Sequence, residues 1–543
     1  MVAAAPAGRV VADGCPRRAL EHARGALHLH DFLTSLPSVV PAGDRSPTSP
    51  IPAGALALSA LYVLILAYPA HLHVVGVFSD FYVRYAPDAD LIARGQFPGN
   101  TYNPPGYPLL LVVLSSALTG DHFTSAKWLS LVAAGLSGLL AFQLFRRLFG
   151  PWPAVLAVPI LLSSGPFNRY AISAMTEVPF LCVCLAALLV VTADRPTGWR
   201  FAALAGVVCG VAYLLRYNGA FLLVPGLVAM LWREGTRASR ARLAALYLGV
   251  FALVAAPWWW LNYVHHGSPF YSTNHEDTAR ALGLHGGGRP FGSVAGVILA
   301  DPVRFAWRYT LHALWTLFQS FGASFAVLPV GPLAAAGMVL SVVRDRRRPV
   351  LLVLSGMASF ILLMALTHWE TRYFFLLLAC YSGFAAFAIF EIARWVGRVR
   401  ESGLAMGAVV AVVTLWILVP SIPNAVRSVR VTLSRQPVEL LPAARHLHSV
   451  ARPDATVMSL RAQIAYLSRR QWRDMPGANS VDELKTLLSA NPPDYLVYDR
   501  WARRLAKPLA PLGTPDGSVP WLVPVYRDEE AQLVVYAVRL ERR

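Results

Sequence analysis

Long apolar segments recur along this chain between about residue 54 and residue 423, with polar connections between them. Most contain about 17 to 25 residues, which is enough for a helix to cross the roughly 30 Å hydrocarbon core of a membrane. The pattern therefore predicts an α-helical polytopic membrane protein with about eleven transmembrane helices. The predicted spans lie near 54–78, 125–147, 152–170, 178–193, 201–217, 219–232, 243–264, 322–343, 349–367, 373–393 and 404–423.

The connections that follow every even-numbered span are basic. The arginines there are Arg146, Arg147, Arg195, Arg200, Arg233, Arg237, Arg240, Arg242, Arg344, Arg346, Arg347, Arg348, Arg394, Arg398 and Arg400. Cytoplasmic loops carry such an excess of Lys and Arg in membrane proteins. We therefore expect a cytoplasmic N-terminus, outer loops at 79–124 and 265–321, and an extracytoplasmic C-terminal part.

The two ends of the chain differ from the apolar middle. Residues 1–51 mix Ala, Pro, Gly, Ser and Arg without apolar periodicity, which predicts a disordered cytoplasmic tail. In 429–543, ATVMSL, DYLVYD and QLVVYAVRL have strand composition, and VDELKTLLS has helix spacing with an acidic first turn. The sequence thus predicts an extracytoplasmic α/β domain at 429–543, after a transmembrane domain at 52–428.

Composition supports a membrane protein and changes how the charge is interpreted. Of the 543 residues, 56% are hydrophobic and only 14% are charged. A soluble domain carries about 25% charged residues. The net charge of +18 indicates orientation in the membrane, because aromatic and basic residues are not interleaved on a polar face as nucleic-acid binding requires. We therefore expect membrane lipids, and no nucleic acid, as partners.

The first outer loop contains the first candidate site residues. It begins SDFYVRYAPDADLIARG, so Asp80 stands at the boundary where the first apolar segment ends, with Arg84 four residues on. A surface ion pair at a helix start would explain these two residues without any chemistry. Gly95 is expected to end the short helix, and NPPGYP (103–108) stiffens the return into the next apolar segment.

This loop resembles the first outer loop of membrane glycosyltransferases of the GT-C type. The closest resemblance is to the branch with protein O-mannosyltransferases and the aminoarabinose transferase that modifies lipid A. The positions that match are Asp80, Tyr82 or Tyr85, Leu91, Gly95 and Pro105 to Pro108, with Tyr107 inside the elbow. Two features depart from that family: Phe81 follows Asp80 where many relatives have a second acid, and Pro87 is expected to interrupt a helix that is continuous in relatives.

Two further stretches are similar to the same family. In SAMTEVPFLCVCLAALL, the resemblance implies that Glu177 is the acid at the outer start of the fourth span. The alternative is an acid favoured by the helix dipole. THWETRYFFLLLACY is similar to the family's Arg-Tyr signature, which implies that Arg372 and Tyr373 meet a lipid-linked phosphate. The alternative for Arg372 is an interfacial anchor.

Other outer-surface residues are weaker candidates. Arg216, in YLLRYNGAFLLVPG, also stands at an outer helix end and is a second candidate for phosphate binding. His265 lies in the crowded third loop, NYVHHGSPFYSTNHEDTAR, where it contacts substrate or is simply solvated. That loop lacks the spacing of a zinc site.

The resemblance implies an integral membrane enzyme that transfers a sugar from a polyprenyl-phosphate donor to an acceptor hydroxyl on a protein, lipid or cell-wall glycan. Asp80 and Glu177 would be catalytic, and Tyr85, Tyr107, Arg216, His265, Arg372 and Tyr373 would bind substrate. A role for Mg²⁺ or Mn²⁺ held by Asp80 and Glu177 stays open. The competing classes are a transporter or flippase of lipid-linked sugars, which should place charges at the bilayer midplane in two related halves, and a non-catalytic scaffold.

Overall fold

The structure is a computed structural model, and it describes residues 51–77, 80–99, 101–193, 198–284, 291–322, 329–344, 348–514 and 519–540. The predicted N-terminal tail and the basic residues Arg195, Arg346 and Arg347 lie outside the described residues.

The first half of the membrane part is a series of helices joined by short turns. In chain order they are α1 (Ile51–Tyr62), α2 (Tyr68–Leu72), α3 (Ala86–Ala93), α4 (Gly106–Leu114), α5 (His122–Phe149), α6 (Pro151–Leu162), α7 (Gly165–Ala171), α8 (Glu177–Val191), α9 (Trp199–Leu215), α10 (Leu223–Leu231) and α11 (Arg237–His266). Three π-helical turns occur among them, at Val63–Ala67, Phe81–Tyr85 and Ser115–Thr119, and a 3₁₀ turn at Tyr217–Leu222 precedes α10.

The second half continues with two short helices and then five longer ones. They are α12 (Asn274–Ala281), α13 (Val294–Ala300), α14 (Pro302–Phe321), α15 (Val330–Arg344), α16 (Arg348–Met364), α17 (Phe375–Val399) and α18 (Gly403–Ser434). A 3₁₀ turn at Thr371–Phe374 leads directly into α17.

Among the described residues, five helical segments are long and apolar enough to cross a membrane: Ala53–Leu72, His122–Phe149, Arg237–His266, Thr371–Val399 and Gly403–Ser434. Each of the eleven predicted spans overlaps an apolar helix, but the count of eleven is not confirmed, because the other helices are shorter. The predicted outer loops are also more ordered than expected, since α4 and α14 lie within them.

Burial shows which of these helices is central. In Thr371–Val399, 89% of the most apolar stretch is buried inside the protein, whereas in Gly403–Ser434 only 11% is buried. The first segment therefore forms the middle of the bundle, and the second lies on its outside, where apolar side chains can meet lipid.

The segment predicted as the first outer loop corrects the expectation for Pro87. The π-helical turn Phe81–Tyr85 runs directly into α3, whose first turn contains Pro87. Because proline lacks an amide hydrogen, it is tolerated in the first turn of a helix, where no intrahelical acceptor is needed. The helical run is therefore continuous, and it ends as predicted, with Gly95 in the left-handed region at φ 70°.

The C-terminal part contains a five-stranded mixed sheet covered by helices on both faces. Its elements are α19 (Leu440–Val450), β1 (Thr456–Met458), α20 (Gln463–Leu467), β2 (Gln471–Arg473), α21 (Val481–Ser489), β3 (Tyr495–Tyr498), α22 (Arg500–Leu505), β4 (Leu522–Asp528) and β5 (Leu533–Val538), with a 3₁₀ turn at Lys507–Gly513. The strand order is β2-β1-β3-β5-β4, with β1 parallel to β2 and β3, and β5 antiparallel to β3 and β4.

Alternation along β3 shows how both faces of the sheet are buried. Leu496 and Tyr498 belong to one hydrophobic cluster, with Leu484 of α21, whereas Val497 belongs to a second, with Leu447 of α19. Successive side chains of a strand point to opposite faces, so a strand covered on both sides is apolar throughout. The three segments with strand composition are β1, β3 and β5; the sequence analysis did not identify β2 and β4.

The C-terminal part contacts the extended segment 74–77, which precedes the helical run that begins at Asp80. Gln436 Oε1 accepts hydrogen bonds from the amides of Val75 and Gly76, both at 2.9 Å. Gln463 Nε2 donates to the carbonyl oxygen of Val77 at 3.1 Å. The segment that leads to Asp80 is therefore fixed by residues far along the chain.

Candidate active site

Charged side chains from four separate helix ends meet in one cluster. Arg372 Nη1 donates to Asp80 Oδ2 at 2.7 Å, and Arg216 Nη1 donates to Glu177 Oε1 at 3.1 Å. Arg372 Nε lies 4.0 Å from the same Glu177 oxygen, so Glu177 links the two pairs. The cluster joins two arginines to two of the predicted acids.

Each of these residues comes from the end of a helix. Asp80 immediately precedes Phe81–Tyr85, and Glu177 is the first residue of α8. Arg216 directly follows α9, and Arg372 lies in the 3₁₀ turn before α17. Helices that alternate in direction bring such ends together at one end of the bundle, as the positions along the sequence indicated.

Asp80 pairs mainly with Arg372 rather than with its neighbour on the helix. Its Oδ1 lies 3.9 Å from Arg84 Nη1, a longer contact than the 2.7 Å hydrogen bond to Arg372. Its side chain makes no capping hydrogen bond to the helix that it precedes. The structure therefore favours a cluster that joins distant segments over the simple surface pair.

Glu177 is the most deeply buried member of the cluster, with 1% of its side chain exposed. Thr176, immediately before it, accepts a hydrogen bond from Arg216 at 2.8 Å. Glu177 Oε2 has no hydrogen-bond partner among the described atoms. A buried carboxylate requires a cation nearby, and Arg216 and Arg372 meet that requirement here.

The guanidinium of Arg372 is held on several sides. Its Nε lies 2.9 Å from Glu370 Oε2, and its Nη2 donates to Tyr373 Oη at 3.3 Å. The Tyr373 ring lies 5.1 Å from the guanidinium carbons of both Arg372 and Arg216. The Tyr373 ring therefore contacts both guanidinium groups at the same distance, close enough for cation–π attraction.

Glu370 and His368 form the outer edge of the cluster, with 3.7 Å between His368 Nε2 and Glu370 Oε2. Partial burial acts to raise the pKa of Glu370, but the contact with His368 and the charge of Arg372 outweigh it and lower that pKa to about 2. The same contact raises the pKa of His368. Glu370 is therefore a carboxylate at all physiological pH values.

Two cavities adjoin the cluster. The first, of about 530 Å³, we call the charged cavity; it is lined by Asp80, Arg84, Tyr102, Thr273, Glu276, Asp277, Arg280, His368, Arg372 and Tyr373. The second, of about 280 Å³, we call the amide cavity, and four asparagines line it: Asn103, Asn218, Asn262 and Asn274. Tyr102 and Tyr373 line both cavities, so the two are neighbours.

Three predicted substrate-binding residues lie away from the cavity walls. Tyr85 and Tyr107 are buried, with ring centroids 4.9 Å apart, and Tyr85 Oη lies 3.3 Å from Thr176 Oγ1. Both tyrosines therefore pack beside the cluster, on a side that neither cavity reaches. His265 is exposed and stacks on Phe97 at 4.0 Å, outside both cavities, so the geometry gives no support to its predicted role.

Sequence reasoning missed several residues that line the charged cavity. Arg84 lies over the Tyr102 ring at 3.9 Å, and the Tyr102 hydroxyl donates to Asp277. Asp277 in turn lies 3.5 Å from Arg280. Asp277 lies within the quoted histidine-rich loop and Tyr102 directly precedes the NPPGYP elbow, but no spacing indicated that the two loops touch.

The elbow itself packs closely against the end of α9. A Cβ added at Gly106 would lie 2.4 Å from the carbonyl oxygen of Leu214, too close for any side chain. Only glycine therefore fits where the returning loop crosses the helix that ends next to Arg216.

A divalent cation between Asp80 and Glu177 does not fit this arrangement. The Arg372 guanidinium lies between the two carboxylates, 2.7 Å from one and 4.0 Å from the other. Across the described part of the chain, no three His, Cys, Asp or Glu side chains form a group that could hold a metal ion. The positive charge that a metal would supply is already present as arginine.

Comparison with known proteins agrees with the motifs. Residues 103–260 match the family model for dolichyl-phosphate-mannose-protein mannosyltransferase. No curated protein sequence matches the chain.

Solved structures match over most of the chain. ArnT from Cupriavidus metallidurans, bound to undecaprenyl phosphate, matches with a TM-score of 0.54 and 16% identity over 89% of this chain and 98% of that one. The oligosaccharyltransferase AglB from Archaeoglobus fulgidus, in complex with an inhibitory peptide and a dolichol-phosphate, matches with a TM-score of 0.57 and 14% identity over 86% and 73%. The chain thus has the fold of the GT-C membrane glycosyltransferases, and its segment 103–260 has the sequence pattern of the mannosyltransferase family, as the motifs predicted.

Proposed function

We propose that this protein is a membrane glycosyltransferase that moves a sugar from a polyprenyl-phosphate donor to an acceptor hydroxyl on a protein, lipid or cell-wall glycan, with inversion. One observation carries the proposal: a carboxylate and a guanidinium, Asp80 and Arg372, share one cavity at the end of a membrane helix bundle. The polyprenyl phosphate in ArnT and the dolichol-phosphate in AglB support a donor of this class.

The chemistry needs a base and a cation rather than an acid. The departing phosphate is stable as an anion, so it leaves with the bonding electrons and no proton has to be supplied. The acceptor oxygen forms a bond to the anomeric carbon while the bond from that carbon to the phosphate oxygen breaks. The acceptor proton passes to a carboxylate, and a cation near the phosphate stabilises the charge that develops.

Asp80 is placed to be that base. Its Oδ2 accepts a hydrogen bond from Arg372, its Oδ1 lies 3.9 Å from Arg84, and the residue lines the charged cavity. With 23% of its side chain exposed, Asp80 can be reached by substrate. The hydrogen bond to Arg372 fixes the carboxylate in one orientation, which general-base catalysis requires.

Arg372 is our candidate for stabilising the departing phosphate. It lines the charged cavity, and a planar guanidinium can bind a phosphate through two parallel hydrogen bonds. Arg216 is the second candidate, from the side of the amide cavity. Arg84 and Arg280 add positive charge to the wall of the charged cavity.

We assign Glu177 a positioning role. It lines neither cavity, and its carboxylate faces Arg216 at 3.1 Å and Arg372 at 4.0 Å. From this buried position, Glu177 balances the positive charge of the two arginines and sets the orientation of their guanidinium groups. Direct contact of Glu177 with a substrate, which the catalytic role implied by the resemblance would need, does not agree with this burial.

The proposed topology puts this cluster and residues 429–543 outside the cytoplasm, with residues 1–51 inside. Cysteine labelling with a membrane-impermeant reagent tests it, in a variant whose tail residue Cys15 is replaced by Ser. A cysteine at exposed Ser449 should react in intact cells. A cysteine at Ala238, in the arginine-rich first turn of α11, should react only after lysis. The opposite pattern would overturn both the topology and an outer-face reaction.

The activity is tested with purified protein in detergent. Polyprenyl-phosphate sugars are supplied together with a cell-envelope extract as acceptor, and release of polyprenyl phosphate is measured by mass spectrometry. Release by the wild type is expected. A protein that moved the intact donor across a vesicle membrane, and released no polyprenyl phosphate, would be a flippase instead.

A further inference from the structure

The amide cavity is lined by uncharged hydrogen-bonding groups beside the reactive cluster. Besides its four asparagines, it is lined by the hydroxyl-bearing residues Tyr102, Tyr213, Tyr217, Tyr271, Ser272, Thr278, Thr367 and Tyr373. Among the described residues that line it, Arg216 is the only one with a charge, and none has a carboxylate. The charged cavity next to it, by contrast, contains Asp80, Glu276 and Asp277.

Two amide oxygens in this wall lack a hydrogen-bond partner among the described atoms: Asn218 Oδ1 and Asn262 Oδ1, both buried. Asn262, only 1% exposed, is fixed by its amide nitrogen, which donates to the carbonyl oxygens of Pro269 at 3.5 Å and Tyr271 at 3.4 Å. Leaving a buried acceptor unpaired destabilises the folded protein. Such a cost is typical of a site whose partner arrives with the ligand.

Hydroxyl groups are the donors that fit these acceptors. A sugar ring offers several of them, and its C–H faces pack on aromatic rings such as those of Tyr213 and Tyr217, which also line the cavity. An ammonium group would find no carboxylate in the lining and would meet the guanidinium of Arg216. A buried charge without a partner is costly.

We propose that the amide cavity holds the sugar ring of the donor and that this sugar carries no positive charge, so that it is not an amino sugar. The inference rests on the proposed function. At about 280 Å³, the cavity suits a single ring, since sites for drug-sized ligands are roughly 300–1,000 Å³. Tyr373 and Tyr102 join it to the charged cavity, so a ring bound here places its anomeric carbon toward Asp80 and Arg372.

Arg216 adds a positive charge to this wall. It donates to Glu177 and Thr176, at 3.1 Å and 2.8 Å, through the same nitrogen. The wall therefore disfavours a positive charge on the ring.

The first test compares matched donors on purified full-length protein. Farnesyl-phosphate glucose, mannose, galactose and arabinose are each set against the corresponding amino sugar, and farnesyl phosphate release gives kcat/KM. We expect the best uncharged donor to exceed its amino-sugar counterpart at least tenfold. Equal or faster turnover of the amino sugar would overturn the inference while leaving the proposed function intact; no release from any donor would overturn both.

The second test changes the wall itself. Asn262→Asp and Asn218→Asp each add a carboxylate with almost no change in shape, so each should shift the ratio of amino-sugar to uncharged-sugar turnover at least tenfold toward the amino sugar. Asn491→Asp, an exposed change in the C-terminal part, is the matched control and should leave the ratio unchanged. If both cavity variants are folded, by size-exclusion profile, and keep the wild-type ratio, the sugar lies elsewhere.

Discussion

Replacing Asp80 by Asn tests the proposed base with the smallest possible change. Asparagine has the size of aspartate and keeps an oxygen that can accept the hydrogen bond from Arg372, now 2.7 Å long. It cannot take a proton from an acceptor hydroxyl. Any loss of activity beyond the loss of folded protein therefore measures proton transfer and the missing charge.

The size of the effect has two parts. Loss of a general base lowers the rate by about 10²- to 10⁴-fold, which corresponds to about 2.7–5.4 kcal/mol at 1.36 kcal/mol for each factor of ten. The cost in stability should be much smaller, because Arg372 keeps Glu370 at 2.9 Å and Glu177 at 4.0 Å as partners. With 23% of the Asp80 side chain exposed, we expect a stability loss of about 1 kcal/mol.

The assay is release of polyprenyl phosphate under single-turnover conditions, so that product release does not hide the chemical step. Melting temperature in detergent reports folding in parallel. The matched control is Asp90→Asn, on the same helical run; Asp90 is exposed and its carboxylate lies 3.2 Å from His122, away from the charged cavity. The control should keep wild-type activity.

One result would refute the reasoning. If Asp80→Asn protein turned over at the wild-type rate in the single-turnover assay, Asp80 would not be the base, and its contact with Arg372 would be structural. If Asp90→Asn were impaired as strongly as Asp80→Asn, the effect would belong to the charge of the loop and not to one carboxylate.

Three further predictions follow from contacts around the cluster. Arg372→Lys keeps the charge but loses the fork that bridges carboxylates, so activity should fall at least tenfold in the release assay; normal turnover would move the phosphate role elsewhere. Gly106→Ala should lower the free energy of unfolding by about 1–3 kcal/mol, because its Cβ meets backbone, while Gly99→Ala, with open space around it, should not change the melting temperature. His368 has a raised pKa, so its attraction to Glu370 is fully present below the ordinary pKa of 6.5 and is lost as pH rises through the raised value; because the residue is 44% exposed, His368→Asn should cost at most about 1 kcal/mol at about pH 6 and nothing at about pH 9 in thermal unfolding.

The sequence predicted which residues belong to the cluster, but not which of them pair with each other. Asp80, Glu177, Arg216 and Arg372 each adjoin the end of an apolar segment on the same predicted side, so their proximity could be inferred from alternating helix direction. The pairing of Arg372 with Asp80 could not, because it joins residues 292 positions apart. Only the packed bundle decides which charge lies next to which.

The number of spans was the weakest part of the sequence prediction. Glu177–Val191 is shorter than a membrane-spanning helix, and most of its side chains are buried by neighbours rather than by lipid. Hydropathy along a chain does not separate these two apolar surroundings. Pro302–Phe321 was missed for the opposite reason, since Arg304, Arg308 and His312 interrupt its apolar positions.

The amide cavity had no signal in the sequence. Asn218, Asn262 and Asn274 are neutral, and each belongs to a different element. Acids and arginines in apolar surroundings attract attention because their burial is expensive. Neutral amides do not stand out in this way. A cavity wall made of them can therefore be recognised only in the three-dimensional structure.

The contacts of segment 74–77 have a consequence for the order of synthesis. Gln436 holds Val75 across 361 residues of sequence, and Gln463 holds Val77 across 386. A ribosome therefore completes nearly the whole bundle before the residues that fasten the Asp80 loop exist. If the proposed function holds, newly made chains should remain inactive until residue 463 has emerged and the C-terminal sheet has begun to fold.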